Sequence, residues 1–332
     1  MLSARGHAWR YRSARMSSTS EAARTFEHAT AVTPSGDGRF EARVDPGWST
    51  PIAANGGYLA AILVRALEAH GAAVAAGAAR QLRSLTCHYL RPVRGGPLEV
   101  RVELVRSGRR ISTARLTAAQ DGKVAILALA ALAVLDLPAA GQWEPEPPHV
   151  GAPPPRDAPL VPPDDYRTRG GEGWLGRTPT MPPMFERVRV APRIGGVPFS
   201  GTIGGAASAA HVAGSGTPGP LPPGEAPETG GWIALPEARP IDAAFVALCA
   251  DVWWPPAFQP LGRPAIAPTI DLTIHVRADI PPEGLPDQPV LGTYRSTAAH
   301  GGLMEEDAAL FLPDGTLLAH ARQLAIFMPL EG

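Results

Sequence analysis

Three polar residues in the second half of the chain are candidates for chemistry: Asp251, Thr269 and Gln323. Asp251 follows the apolar stretch AAFVALCA and precedes VWWPP, so it falls near the C-terminal end of a helix that Pro255 and Pro256 stop. There the helix dipole gives a carboxylate no support. Trp253 and Trp254 beside it also desolvate it, which raises a carboxyl pKa. An acid so placed is a general-base candidate, against the plainer reading of an exposed Asp at a frayed helix end. Gln323 is a lone amide on a strand face otherwise made of Leu317, Ala319, Ala321, Ala325 and Phe327. Left unpaired there it costs about 1–3 kcal/mol, so it must bind a neighbouring backbone group, a water or a substrate oxygen. Thr269 opens a strand whose other face is apolar, and a strand Thr is ordinary on β propensity alone.

The elements that must position these residues occur twice. The first half runs through NGGYLAAILVRALEAHG (55–71), SLTCHYLRP (84–92) and DGKVAILALAALAVL (121–135). The second runs through IDAAFVALCADVWW (241–254), TIDLTIHVR (269–277) and DGTLLAHARQLAIF (314–327). In each, a helix precedes an apolar strand ending in Arg, and an Asp-Gly turn leads into a last apolar strand. Repetition of this kind implies two like units completing one core. Asn55 caps the first helix, Gly56 and Gly57 open its first turn, and Tyr58–His70 is apolar nearly all round, as a central helix must be. Strands near 82–92, 97–106, 110–120 and 123–136 follow, and 24–33 with 38–45 reads as a hairpin. The second unit repeats this with strands near 185–194, 230–237, 268–278, 288–297, 302–312 and 316–328. Aligning Arg91 with Arg277 sets Arg83 opposite Thr269, and aligning the two Asp-Gly turns sets Ala130 opposite Gln323. The polar set therefore survives in one copy.

The expected organisation is a disordered extension over 1–21, an N-terminal unit over 22–137, a Pro/Gly-rich linker without a core of its own over 138–183, and a C-terminal unit over 184–332 interrupted by a low-complexity insertion at 197–229. A formal net charge of -1 argues against nucleic acid as a partner. Of the 30 basic residues all but Lys123 are arginine, scattered along the chain, which reads as coding bias. Cys87 and Cys249 each sit in apolar segments and are expected as buried free thiols. No Cys/His spacing suits zinc, so no metal and no cofactor is expected. The apolar runs 58–67 and 124–135 are too short to span a bilayer. Arg5, Arg10, Arg12 and Arg15 without an acid nearby have the bias of a mitochondrial presequence, but Met16 offers a more ordinary start, and a cytoplasmic protein is the default.

Three strings in the second half (ADVWWPPAFQ, APTIDLTIHVR and GLMEEDAALFLPDGTLLAHARQ) together resemble the C-terminal half of the acyl-CoA thioesterase II family, the double-hotdog acyl-CoA hydrolases. The segments GWSTPIAANGGYLAAILVRA, HYLRPVRGGPLEV and VRSGRRISTARLTAAQDGK are similar to that family's first hotdog. The resemblance covers most of 24–136 and 184–328 and implies an α+β double hotdog, each unit a long helix wrapped by a curved antiparallel sheet. It also implies hydrolysis of an acyl-CoA to a free acid and CoA, with the family's Asp, hydroxyl residue and Gln falling on Asp251, Thr269 and Gln323. On that reading Asp251 takes a proton from the attacking water, and Gln323 and Thr269 orient it. Gly56, Gly57 and Tyr58 form the substrate-binding set, with backbone N–H groups at the helix start as oxyanion donors or, alternatively, glycines allowing close helix–sheet packing. Arg91, Arg94, Arg109 and Arg110 are candidates for the CoA phosphates. A homo-oligomer of double-hotdog subunits is compatible with this reading.

Two other functions compete. A hotdog hydratase or dehydratase would need an acid–base pair such as Asp271 and His275, but strand residues four apart lie roughly 13 Å from each other. An idle acyl-CoA-binding protein would not need Asp, Thr and Gln together.

Overall fold

The computed structural model describes residues 25–74, 80–135, 137, 139–162, 173–177, 181–196, 225–261 and 265–329. The proposed N-terminal extension and nearly all of the 197–229 insertion lie outside these.

The first unit contains helix α1 (Phe26–Thr30), strands β1 (Val32–Gly36) and β2 (Arg39–Val44), helix α2 (Gly56–Val74), then β3 (Arg80–Tyr89), β4 (Gly96–Ser107), β5 (Ile111–Gln120) and β6 (Lys123–Val134). Two short strands, β7 (Leu160–Val161) and β8 (Trp174–Leu175), lie in the intervening segment. The second unit contains β9 (Arg189–Ile194), β10 (Glu228–Ala234), helix α3 (Ala243–Cys249), β11 (Ala265–Ile266) and β12 (Thr269–Val276). It ends with β13 (Val290–Arg295), β14 (Ala299–His300), β15 (Leu303–Phe311), β16 (Leu317–Ile326) and β17 (Met328–Pro329).

The main strands form one 13-stranded antiparallel sheet ordered β1-β2-β4-β5-β6-β3-β12-β16-β15-β13-β10-β9, with β14 on β15. This order reads alike from both ends. The two halves join where β3 meets β12, and the register there is reciprocal: Ser84 faces His275, Thr86 faces Thr273, and His88 faces Asp271. The Thr86 and Thr273 hydroxyls lie 3.0 Å apart on that pseudo-two-fold.

Helix α2 is buried almost all round, from Tyr58 through Leu67 except at Arg65, as its unbroken apolar sequence requires. It packs against α3 inside the single large core. The expectation of a long second helix is corrected: α3 has 7 residues and Ala250 is its C-cap. Trp254 precedes Pro255, which disfavours helical backbone there. The Asp251 carbonyl, meanwhile, is taken by Asn55 Nδ2 at 2.7 Å.

One further expectation is corrected. Residues 26–30 form a helical turn instead of a strand, because the Thr25 side chain accepts from the His28 N–H and caps it. The described part of the 138–183 segment packs onto the cores of the rest of the chain: Trp174, Leu175 and Met181 are buried, and Trp174 Nε1 donates to the Pro155 carbonyl at 2.9 Å. Large apolar side chains inside a Pro-rich run still gain about 1.5–3 kcal/mol each on burial. Cys87 and Cys249 are buried free thiols, as read from their apolar surroundings. Among the described residues no helix is long and apolar enough to cross a membrane, and no His/Cys/Asp/Glu group could hold a metal.

Candidate active site

Helix α2 starts where α3 ends, and Asp251 lies at that crossing. Asn55 caps α2, its Oδ1 accepting from the Tyr58 N–H at 2.8 Å. Its amide nitrogen turns back to donate to Asp251 Oδ2 at 3.1 Å. The Gly57 N–H donates to the same oxygen at 3.0 Å. The Asp251 carboxylate is therefore at the C-terminal end of its own helix but at the N-terminal end of the other. It gains from the second dipole what the first denies it.

Across the sheet, Gln323 in β16 donates from Nε2 to Asp251 Oδ1 at 3.0 Å. Its carbonyl Oε1 accepts from the Thr269 hydroxyl at 2.8 Å. Thr269 can reach across because a bulge between Thr269 and Asp271 shifts the β12–β16 register. Asp251, Gln323 and Thr269 thus form one hydrogen-bonded chain, with the amide in the middle.

A fourth member, Glu306 in β15, went unread in the sequence. It pairs directly with Gln323 in the β15–β16 register, and its Oε1 accepts from Gln323 Nε2 at 2.8 Å. Glu306 is 2 % exposed. The run EEDAAL shows the signal only in hindsight, since alternation puts the middle acid on the apolar face shared with Met304 and Ala308.

Both carboxyls are displaced upwards. Burial pushes Asp251 up to about 6, while the Gly57 N–H and Gln323, with Gly56 and Asn55, partly offset it. Burial pushes Glu306 up to about 8, opposed by its Gln323 bond and reinforced by the charge of Asp251.

The chain of groups opens onto a cavity of about 490 Å³. Its walls are apolar, with Trp253, Trp254, Phe258, Met184, Met304 and Ile326 prominent, and Asp251, Thr269 and Gln323 stand at one side.

The α2 start departs from the substrate-binding set read in the sequence. Gly56 lines the cavity, but Tyr58 is fully buried, stacked on Trp48 with its hydroxyl donating to the Ala29 carbonyl at 2.7 Å. Its bulk serves the core and cannot reach a ligand. The Gly57 N–H is engaged by Asp251, so it is not a free oxyanion donor. A Cβ on Gly57 would lie 2.7 Å from the Leu248 carbonyl and 2.8 Å from that of Ala247. Glycine is needed there for helix–helix approach, where close packing against the sheet was the alternative expected. Of the four candidate phosphate-binding arginines, only Arg91 lines the cavity.

The first unit has the same framework without the chemistry. Leu82 pairs with Leu132 and Leu85 with Ala130, just as Thr269 pairs with Ala325 and Leu272 with Gln323. The register sets Leu82, not Arg83, in the place of Thr269, because the bulge occurs in both units and the equivalent of Arg277 is Leu90, one residue before Arg91. It sets Ala130 in the place of Gln323. Ala114 pairs with Ala130 as Glu306 pairs with Gln323. Counting from the two helix caps, Asn55 and Asp242, puts Val64 at the position of Asp251. Beside it Asp242 binds Arg65 Nη2 at 2.7 Å and also pairs with Arg239.

Comparisons with known proteins agree over both units. Residues 44–134 match the family model of the acyl-CoA thioesterase N-terminal domain, and residues 155–327 match that of the C-terminal domain. No curated protein sequence matches the chain. Among solved structures, a hot dog fold protein from Alicyclobacillus acidocaldarius superposes with a TM-score of 0.69 at 23% identity, covering 94% of this chain and 100% of that one. The acyl-CoA thioesterase II TesB2 of Mycobacterium marinum gives 0.60 at 19% identity, covering 93% and 100%. The tesB protein of Mycobacterium avium subsp. paratuberculosis gives 0.62 at 17% identity, covering 92% and 98%. At these identities the likeness shows a hot dog fold.

Proposed function

Since the chain belongs to the acyl-CoA thioesterase family of thioester hydrolases, we propose that it hydrolyses an acyl-CoA by water attack at the Asp251–Gln323–Thr269 chain, and that residues 22–137 and 184–332 are the two units of a double hot dog joined by 138–183. The observation that carries the site is the Gln323 amide bonded to Asp251 on one side and Thr269 on the other, at the wall of an apolar cavity.

An inventory of donors supports the mechanism. Both protons of the Gln323 amide nitrogen are committed, to Asp251 and to Glu306. The Thr269 proton is committed to Gln323. What remains open toward a water is acceptor capacity: a lone pair on Asp251 Oδ1, and those of Thr269 Oγ1 and Gln323 Oε1. A water donating one hydrogen to Asp251 and the other to Thr269 or Gln323 keeps an oxygen lone pair free to attack the thioester carbon. Asp251 takes the first proton as the C–O bond forms. Collapse of the tetrahedral intermediate breaks the C–S bond, and Asp251 returns its proton to the departing thiolate. The products are a carboxylic acid and CoA thiol. A base with a pKa of about 6 is ionised at neutral pH yet far more basic than an ordinary aspartate. The apolar cavity receives the acyl chain, and Arg91 stands at its rim for the CoA portion.

The test is release of free thiol across a panel of acyl-CoA substrates by the wild type, Asp251→Asn and Gln323→Ala. Turnover by the wild type with loss in both variants supports the proposal. Full activity in both variants removes the site, and no thiol release on any chain length removes the function.

A further inference from the structure

A buried acid outside the cavity lining is an expensive residue to place in a strand. Glu306 has one oxygen on Gln323 Nε2 at 2.8 Å, while its Oε2 is buried without a hydrogen-bond partner among the described residues. Its side chain faces Gln323 from β15. The charges nearest to it are all acidic: Asp251 across the amide, and Glu305 and Asp307 beside it on its own strand. The Tyr294 hydroxyl of neighbouring β13 donates elsewhere, to the Cys249 carbonyl. The fold does not ask for this residue, because the register-equivalent position in the first unit is Ala114, which is fully buried.

We propose that Glu306 is a positioning residue that, acting through Gln323, fixes which end of that amide faces Asp251. This rests on the hydrolytic reading above and deepens it. The two ends of an amide are nearly the same shape, so only its partners decide which way it points. An ionised Asp251 selects the NH₂ end. In the cycle, however, Asp251 becomes a carboxylic acid once it takes the water's proton, and a carboxylic acid can donate to a carbonyl as readily as accept from an amine. At that moment Asp251 no longer discriminates. A flip would aim NH₂ at Thr269 and remove an acceptor from the water site. Glu306, a spectator that does not exchange protons with substrate, holds the amide through both halves of the reaction. With its Oε1 already accepting from Gln323 Nε2 in a fully packed site, a flip of the amide would require the buried Glu306 carboxyl to turn over with it.

The experiment is a kinetic cycle on the full-length protein with thiol-release detection. Glu306→Leu removes the acceptor at similar bulk and lowers kcat by roughly tenfold or more, with KM changed little, because the loss is one of alignment. Glu306→Gln keeps a carbonyl for Gln323 Nε2 and restores kcat to within a few-fold of wild type. In the Gln323→Ala background, Glu306→Leu has no further effect. Equal kcat for wild type and Glu306→Leu overturns the proposal, as does a Glu306→Gln variant as impaired as Glu306→Leu, or independent, multiplying effects in the cycle. If Glu306→Leu does not fold, Glu306→Ala, which copies the first unit, replaces it under the same criteria. Wild-type thiol release abolished by Asp251→Asn, together with an unimpaired Glu306→Leu, sinks this inference alone. Absence of wild-type turnover sinks the hydrolytic reading beneath it.

Discussion

Two aspartates stand at the two ends of one helix crossing, and the fold treats them in opposite ways. Asp242 caps α3, accepting the Phe245 N–H at 2.8 Å, and is gripped by Arg239 and Arg65. Burial alone would push it up, but the two guanidinium groups outweigh burial and hold it below the usual range. Asp251 meets only neutral donors (two backbone N–H groups and two amides), and burial wins. The guanidinium-bound acid is a fixed strut. The amide-bound acid is left with an exchangeable proton and a cavity to use it in. The duplicated framework thus separates a charge-fixed acid that ties the two helices from the acid proposed as the base.

The difference can be broken most severely at Asp251. Asp251→Asn should lower thioester turnover by about 10²–10⁴-fold while leaving the circular dichroism spectrum intact. Turnover in the wild type should rise with pH through about 6, as the Asp251 carboxyl ionises. A flat profile from pH 5 to 7 would remove Asp251 as the base.

Helix spacing is the next point of attack. A Cβ at Gly57 would also lie 3.1 Å from Asp251 Cβ, besides meeting the two α3 carbonyls. Gly57→Ala should therefore destabilise by about 1–3 kcal/mol, measurable by urea unfolding, and should lower kcat because the crossing carries Asp251. At the start of α3 Ala244 stands at the corresponding distance from its cap, and Ala244→Gly should cost only about 0.5–1 kcal/mol with turnover unchanged. Equal effects at the two positions would show that the crossing is not specialised.

How much of this the sequence carried depends on the range of the interaction. The duplication, the buried α2 and the Asn55 cap follow from local periodicity and a short-range side-chain bond. That its own helix serves Asp251 poorly is legible in the sequence, but the Asn55 and Gly57 donors that serve it lie 196 and 194 residues away in the chain. Periodicity says nothing of such partners. Matching Arg91 with Arg277 points to Arg83 in place of Leu82, because two arginines at a strand end look alike in sequence while the pairing makes Leu90 the counterpart of Arg277. Glu306 went unread because one acid among EED looks like solvated strand surface until the register seats it opposite Gln323.

The finest test exchanges the two caps' chemistry. Asn and Asp cap helices about equally well, so Asn55→Asp and Asp242→Asn keep both caps while exchanging a charge and an amide donor. Asn55→Asp replaces a donor to Asp251 by a like charge, which raises the Asp251 pKa further. The activity profile should keep its plateau at high pH, while its acid limb moves above about 6. Asp242→Asn should leave that limb in place and cost stability instead, about 1–3 kcal/mol near neutral pH, because Arg65 and Arg239 lose their anion. The sign with pH distinguishes the two. Asp242 is held below its unfolded value, so its contribution is present above that value and disappears as pH falls through the folded one. Asp251 is held above its unfolded value, so its protonated form favours folding, and that support is lost as pH rises toward about 6. Unfolding titrations of wild type and Asp242→Asn should therefore converge in strong acid and diverge toward neutrality. If they stay parallel, the Asp242 cluster is not the charge-fixed counterpart of the Asp251 site.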